Sequence, residues 1–278
     1  MSQTKAHKIN KLGVIGAGVM GKALIQGLVQ KGVVPIEHVW ATTKTEASCD
    51  KLRAELGIQA HTNYKDLLAG TDVILLCVKP KGIKQALERL KASDLPKDTL
   101  IVSIVAGATI EQIEEKLGTE NPVIRAMTNT PCLVGQGMTV ICAGTHATED
   151  HTKLAHRIFE SVGECIELDE THFDAVTSLA GSGPAYMYLI MEALADGGVR
   201  VGLPRQAALK IVSQTVLGAA TMVQQSGRHP ASLRDDVTTP AGCTIGALLV
   251  MEDGKIRSVL ARAVEEATQI AGELGQTQ

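Results

Sequence analysis

The 278 residues carry 27 basic and 30 acidic side chains, a formal net charge of −3. So balanced a surface produces no strong field of either sign, which argues against nucleic acid or an anionic membrane as the main partner and points to a small molecule. The length suffices for one large domain or two ordinary ones with a full core, without disulfide or metal staples. The six cysteines are scattered with no C-x-x-C pair, and the eight histidines show no H-x-x-x-H spacing. Buried reduced thiols and no metal site are therefore expected. Met1 to Asn10 lacks an apolar core, and no stretch approaches the roughly 18 apolar residues of a spanning helix, so a cytoplasmic protein is expected.

In the first half, apolar runs of strand length alternate with helical patterns. Lys11 to Ile15 reads as a strand, Met20 to Gln30 as a helix with Leu24, Leu28 and Val29 on one face, and His38 to Ala41 as a second strand. A helix from Glu46 to Leu56 leads to the continuous apolar run Asp72 to Val78, the pattern of a strand covered on both faces. Helices at Ile83 to Leu90 and Ile110 to Leu117 alternate with strands at Thr99 to Val105 and Pro122 to Met127. Two further strands, Gly137 to Ala143 and Gly163 to Leu168, flank a helix from Thr148 to Ser161. This rhythm predicts an α/β domain, a Rossmann-type doubly wound parallel sheet, over residues 1–170.

After Asp169 the strand signals stop, and residues 171–278 read as an all-α domain. Pro184 sits at a helix start, and breaks fall at Gly202-Leu203-Pro204, at Ser226 to Pro230 and at Thr239 to Gly242. Its helices are rich in small residues, among them Ala193, Gly197, Gly198, Gly218, Ala263 and Ala267. Small residues permit close helix crossings, and helices with so few aromatics make a thin core alone. A homodimer or larger homo-oligomer is the inference.

The loop Gly16-Ala17-Gly18-Val19-Met20-Gly21 follows the first strand and opens the first helix. In that context Gly16 can make the tight turn, Gly18 lets backbone approach a pyrophosphate, and Gly21 lets helix and strand pack closely. A dinucleotide-binding site is therefore expected. An NAD-selective site would carry Asp or Glu at the end of the second strand, but Thr42-Thr43-Lys44 stands there. Two hydroxyls and a cation suit a 2′-phosphate, so NADPH is favoured, with Glu46 near enough to keep NADH possible. Segments after the other strands should complete the cleft: Val78-Lys79-Pro80, Ala106-Gly107 and the turn with Asn129, whose amide suits the nicotinamide carboxamide. Asn63 is counted with these cofactor-facing residues.

Five segments occur in the order seen in one family: the Gly16 to Gly21 loop, Val78-Lys79-Pro80, Met127 to Pro131, Gly181 to Tyr186, and Asp236 to Thr244. Over nearly its whole length the chain resembles pyrroline-5-carboxylate reductase. The resemblance implies hydride transfer from NAD(P)H to the imine carbon of 1-pyrroline-5-carboxylate, giving L-proline in the last step of proline biosynthesis. It also implies that residues 171–278 bind substrate and dimerise. The substrate carboxylate would be held by the turn from Thr239, through the amides of Gly242, Cys243 and Thr244. The Thr244 hydroxyl would lie near the ring nitrogen as the catalytic group. Ala241 stands where many relatives have glycine, which bears on the local backbone. The residues agree with this, since a helix N-terminus offers unpaired N–H groups to a small carboxylate, although Thr244 would serve equally as an ordinary cap.

Two other readings are carried forward. A hydroxyacid dehydrogenase of similar layout needs a proton-transfer group at the carbinol oxygen. Counting from Gly181-Ser182-Gly183, its lysine and asparagine places hold Met187 and Ile190, which move no proton. An imine needs less help, because its nitrogen can arrive protonated, so orientation and one hydrogen bond suffice. His172, Asp169 and Asp174 are then junction polar groups rather than catalysts. A non-catalytic NADP(H)-binding regulator would leave the Thr239 to Thr244 turn without a ligand.

Overall fold

The computed structural model describes residues 9–276. Eight strands form one sheet in the order β3-β2-β1-β4-β5-β6-β7-β8. β1 (Leu12–Ile15), β2 (Val39–Thr42), β3 (Gln59–His61), β4 (Val73–Leu76), β5 (Leu100–Ser103) and β6 (Val123–Met127) run parallel. β7 (Gly137–Ala143) is antiparallel to β6, and β8 (Gly163–Glu167) follows β7. The parallel order out to β6 is the doubly wound arrangement expected. The reversal at β7 is added to it, because the connection 128–136 lacks the helical crossover a parallel return requires. β3 is not foreseen from the sequence, since only Ala60 of its three residues is buried.

Helices cover both faces, which is why β1, β4 and β5 are buried at every position. On one face α1 (Val19–Gln30), α2 (Glu46–Leu56) and α6 (Glu149–Glu160) pack Leu24, Leu28, Leu52 and Phe159 against Val14, Leu75 and Val102. On the other, α3 (Lys65–Leu68), α4 (Ile83–Lys91) and α5 (Ile110–Leu117) pack Leu67, Leu87 and Leu117 against Ile15, Ile74 and Ile101. Neighbouring strand residues thus feed opposite layers, as the two-residue period requires. Local chemistry sets the helix limits: the Thr45 side chain accepts from Ser48 N at the start of α2, and Gly57 ends it at φ 69°.

The chain divides into two compact units, Met1–Gly181 with Ala267–Gln278, and Ser182–Glu266. α7 (Phe173–Val176) and a π-helical turn, Thr177–Gly181, close the first segment of the sheet unit. The helical unit holds α8 (Gly183–Arg200), α9 (Arg205–Ser226), α10 (Pro230–Asp236), α11 (Cys243–Asp253) and the start of α12 (Ile256–Gln276), whose last turns belong to the sheet unit. α8 and α9 cross closely at Gly198, where a Cβ would stand 3.2 Å from the Cβ of Ala208. Among the described residues of this unit only Ala195 and Ala208 are buried, while Leu189, Leu217, Leu249 and Val250 are more than half exposed.

No helix among the described residues is long and apolar enough to cross a membrane. All six cysteines are free, but Cys243 is exposed rather than buried. Burial pushes the Cys77 and Cys165 thiols up to about 12, so they stay protonated.

Candidate active site

After β1 the backbone turns at Gly16 with φ +88°, a conformation that favours glycine. A Cβ there would stand 2.8 Å from Val78 Cγ1 and 3.0 Å from the Cys77 carbonyl, so the turn also lets β1 and β4 approach. At Gly21 a Cβ would meet Gly16 O at 3.1 Å, which seats α1 tightly on the strands. Gly18 has nothing within 4 Å of that position. Space for a ligand therefore opens at the middle glycine. Gly18 is the N-cap of α1, no side chain bonds there, and the first turn holds no acidic residue. The amides of Val19, Met20 and Gly21 present unpaired donors and the positive end of the helix dipole, the arrangement that binds phosphate.

A cavity of about 640 Å³ extends from this loop. It gathers Gly16, Ala17, Gly18, Thr42, Thr43, Lys44, Val78 and Lys79 of the expected residues. Lys44, Lys79, Lys81 and Arg89 line it, and no carboxylate does among the described residues. A site with that charge suits a polyanionic dinucleotide. Glu46 is held away, because it accepts from Thr62 Oγ1 at 3.0 Å and pairs with Arg53 at 3.5 Å. The carboxylate that would have suited an unphosphorylated ribose is thereby engaged elsewhere.

The expected hydroxyl pair is used by the fold itself. Thr42 is buried and bonded to the Tyr64 side chain, and Thr43 Oγ1 donates to Thr45 O at 3.0 Å. Lys44 remains exposed to the cavity, joined by residues that the sequence reading passed over: Ser48, Tyr64, Lys81, Gln85 and Arg89. Lys81, Gln85 and Arg89 recur every four residues, so the signal was a polar ladder leading into and along α4.

Asn63 does not line the cavity, and its amide bonds to Asp66 at 3.4 Å in both directions. Asn129 is also committed to the fold: its Nδ2 donates to Ala180 O at 3.0 Å, and its Oδ1 accepts from Met138 N at 2.9 Å. That pair ties β6 to β7 and to the π turn, and it uses one N–H and one oxygen lone pair of the amide. Pro80 and Ala106 lie on a second cavity of about 370 Å³, with Lys79, Lys81, Gly107, Asp174, Thr177, Ala271 and Leu274. Lys79 and Lys81 line both cavities, so the two adjoin along one cleft.

The remaining expected residues lie in the helical unit. Ala241 adopts φ +55°, where glycine is at ease, and Gly242 N then donates to Thr239 O at 3.1 Å. A Cβ at Gly242 would overlap Thr239 Oγ1, so this turn too requires glycine. Gly242 is the N-cap of α11, without a side-chain cap or an acidic residue in the first turn. Thr244 therefore stands inside the helix and is not its cap. Asp169 accepts from Thr171 N at 2.9 Å and also from its hydroxyl, bonds that hold its carboxyl below the usual range and mark it as a turn residue.

The Rossmann-type sheet and its cation-lined glycine loop define an NADP-dependent oxidoreductase, and the family model described as NADP oxidoreductase, coenzyme F420-dependent matches residues 11–107. A second model, pyrroline-5-carboxylate reductase dimerisation, matches residues 170–274. A pyrroline-5-carboxylate reductase of Arabidopsis thaliana is 41% identical over 267 residues, 96% of each chain. The structure of one from Coxiella burnetii superimposes with a TM-score of 0.90 at 33% identity, over 96% of this chain and 99% of that one. The Plasmodium falciparum pyrroline carboxylate reductase with NADP bound gives 0.85 at 30% identity, over 96% and 99%. The chain belongs to the pyrroline-5-carboxylate reductase family.

Proposed function

We propose that this protein reduces the cyclic imine of 1-pyrroline-5-carboxylate to L-proline with NADPH, the last step of proline biosynthesis. The observation that carries this reading is a 41% likeness to a reductase of that name across 96% of both chains. The turn at α11 falls within the matched dimerisation region. When bound, the reduced nicotinamide supplies the hydride. The α1 amides of Val19, Met20 and Gly21 hold the pyrophosphate, and Lys44 holds the 2′-phosphate. The amides of Gly242, Cys243 and Thr244, with Thr239 supporting the turn, hold the substrate carboxylate. The Thr244 hydroxyl keeps a hydrogen bond to the ring nitrogen as it becomes an amine. No strong general acid is needed, because that nitrogen arrives protonated.

The sheet unit acts as the NADP-binding domain and the helical unit as the substrate-binding and dimerisation domain of a cytoplasmic homodimer or larger homo-oligomer. Met187 and Ile190, at the places where a hydroxyacid dehydrogenase keeps its proton-transfer pair, disfavour that chemistry. Initial rates with NADPH and NADH against pyrroline-5-carboxylate test the reaction and the cofactor together. Substrate-dependent oxidation of NADPH, faster than that of NADH, is expected. No oxidation at any pH would overturn the reading.

A further inference from the structure

Arg89 is placed unusually for a helix-surface arginine. It projects from the second turn of α4, and helical side chains lean toward the helix N-terminus, here the strand-end side of the sheet. Its guanidinium carbon lies 4.2 Å from the centroid of the Tyr64 ring, and Nη2 donates to Thr62 O at 2.8 Å. Tyr64 is itself fixed: it is 6% exposed, and its side chain bonds to Thr42. The chain of contacts Arg89, Tyr64, Thr42 therefore carries a flat cation from α4 to the carboxyl end of β2. In a sheet of this kind that end faces the adenosine ribose.

Within the fold, among the described residues, the charge meets a ring and a carbonyl but no opposite charge. Arg89 has no carboxylate partner among the described residues, yet it lines the 640 Å³ cavity with Lys44 and Ser48. The pyrophosphate is provided for by the amides of α1. One face of the guanidinium is covered by Tyr64 and one N–H is spent on Thr62. The remaining N–H groups of this cavity-lining residue are available to an oxyanion, which a guanidinium can take in a bidentate contact.

We propose that Arg89, held in place by Tyr64, is a specificity residue that grips the 2′-phosphate of NADPH opposite Lys44. This rests on the cofactor reading given above and adds to it a residue from α4, outside the loop after β2 that ordinarily selects between the two dinucleotides. Tyr64 is a positioning residue that keeps the guanidinium edge-on to the phosphate.

The test is calorimetric titration of the full chain with adenosine 2′,5′-bisphosphate and with adenosine 5′-monophosphate, probes that differ only by the 2′-phosphate. Arg89→Gln is expected to weaken the bisphosphate about 10- to 50-fold while changing the monophosphate less than threefold. Arg89→Lys should recover part of the loss, since it restores charge without the planar fork. Tyr64→Leu should weaken the bisphosphate severalfold, and Tyr64→Phe should keep the platform and its affinity. Equal weakening of both probes by Arg89→Gln would make Arg89 an adenine-stacking residue and overturn the proposal. So would no change in either. Wild-type protein that binds the bisphosphate but oxidises no NADPH with pyrroline-5-carboxylate would defeat the proposed reaction and leave Arg89 standing.

Discussion

Phe159 and Leu217 are large apolar side chains on helices of the two units, α6 strongly amphipathic and α9 weakly so, and they meet opposite outcomes. Phe159 of α6 has no exposed surface, enclosed by the layer of α1, α2 and the sheet. Leu217 of α9 is 57% exposed, as are comparable fractions of Leu189 and Leu249. A monomer rarely leaves so many large apolar side chains in water, and a dimerisation model matches this region. The sheet unit completes its own core. The helical unit leaves its large apolar side chains exposed within the single chain.

The largest effect is expected where the core is complete. Phe159→Ala should lower unfolding free energy by about 3–5 kcal/mol, read by urea denaturation. A loss below about 1 kcal/mol would mean that the sheet unit is as loosely packed as the helical one. Next, Gly18→Asp places a carboxylate where the α1 amides await a pyrophosphate, and NADPH affinity should fall at least about a hundredfold by fluorescence titration. Unchanged affinity would remove the loop from the site.

In the helical unit, Thr244→Ala should lower turnover about 10- to 100-fold while leaving NADPH affinity intact, the loss of one transition-state hydrogen bond of about 1.5–3 kcal/mol. Full activity would leave Thr244 without a catalytic role. Leu217→Glu with Val250→Glu should shift the protein toward monomer in sedimentation, with little change in the far-ultraviolet dichroism of the sheet. An unchanged mass would show that these faces are not the ones covered. The smallest effect is at Ala241, whose φ of +55° is strained for alanine. Ala241→Gly should stabilise that turn by up to about 1 kcal/mol, seen as a rise in melting temperature.

Legibility in the sequence followed the same division. The strands β1, β4 and β5 were readable because burial on both faces makes them continuous apolar runs, and α2 because Thr45 and Gly57 punctuate it. The direction of β7 was not readable, because alternation marks a strand but not its neighbour's polarity. β3 escaped because one buried alanine between two polar residues gives no pattern. In the site, Gly16, Gly18 and Gly21 could be assigned from spacing, since Gly16 and Gly21 answer local backbone demands and Gly18 leaves the space between them open. Arg89 and Ser48 could not, because their relevance depends on tertiary placement across three elements. Asn129 is ambiguous for a related reason: asparagine at a strand end suits a ligand and a turn equally, and here the turn bonds to both ends of the amide.

The last turns of α12 return to the sheet unit, where Ala271 and Leu274 wall the second cavity and Gly275 O accepts from Gln112 at 3.4 Å. Synthesis proceeds from the amino end, so the glycine loop and the whole sheet leave the ribosome well before the residues that finish this wall. A nascent chain can hold the shape of a dinucleotide domain, but the cleft acquires its final surface only once these later residues have followed the sheet.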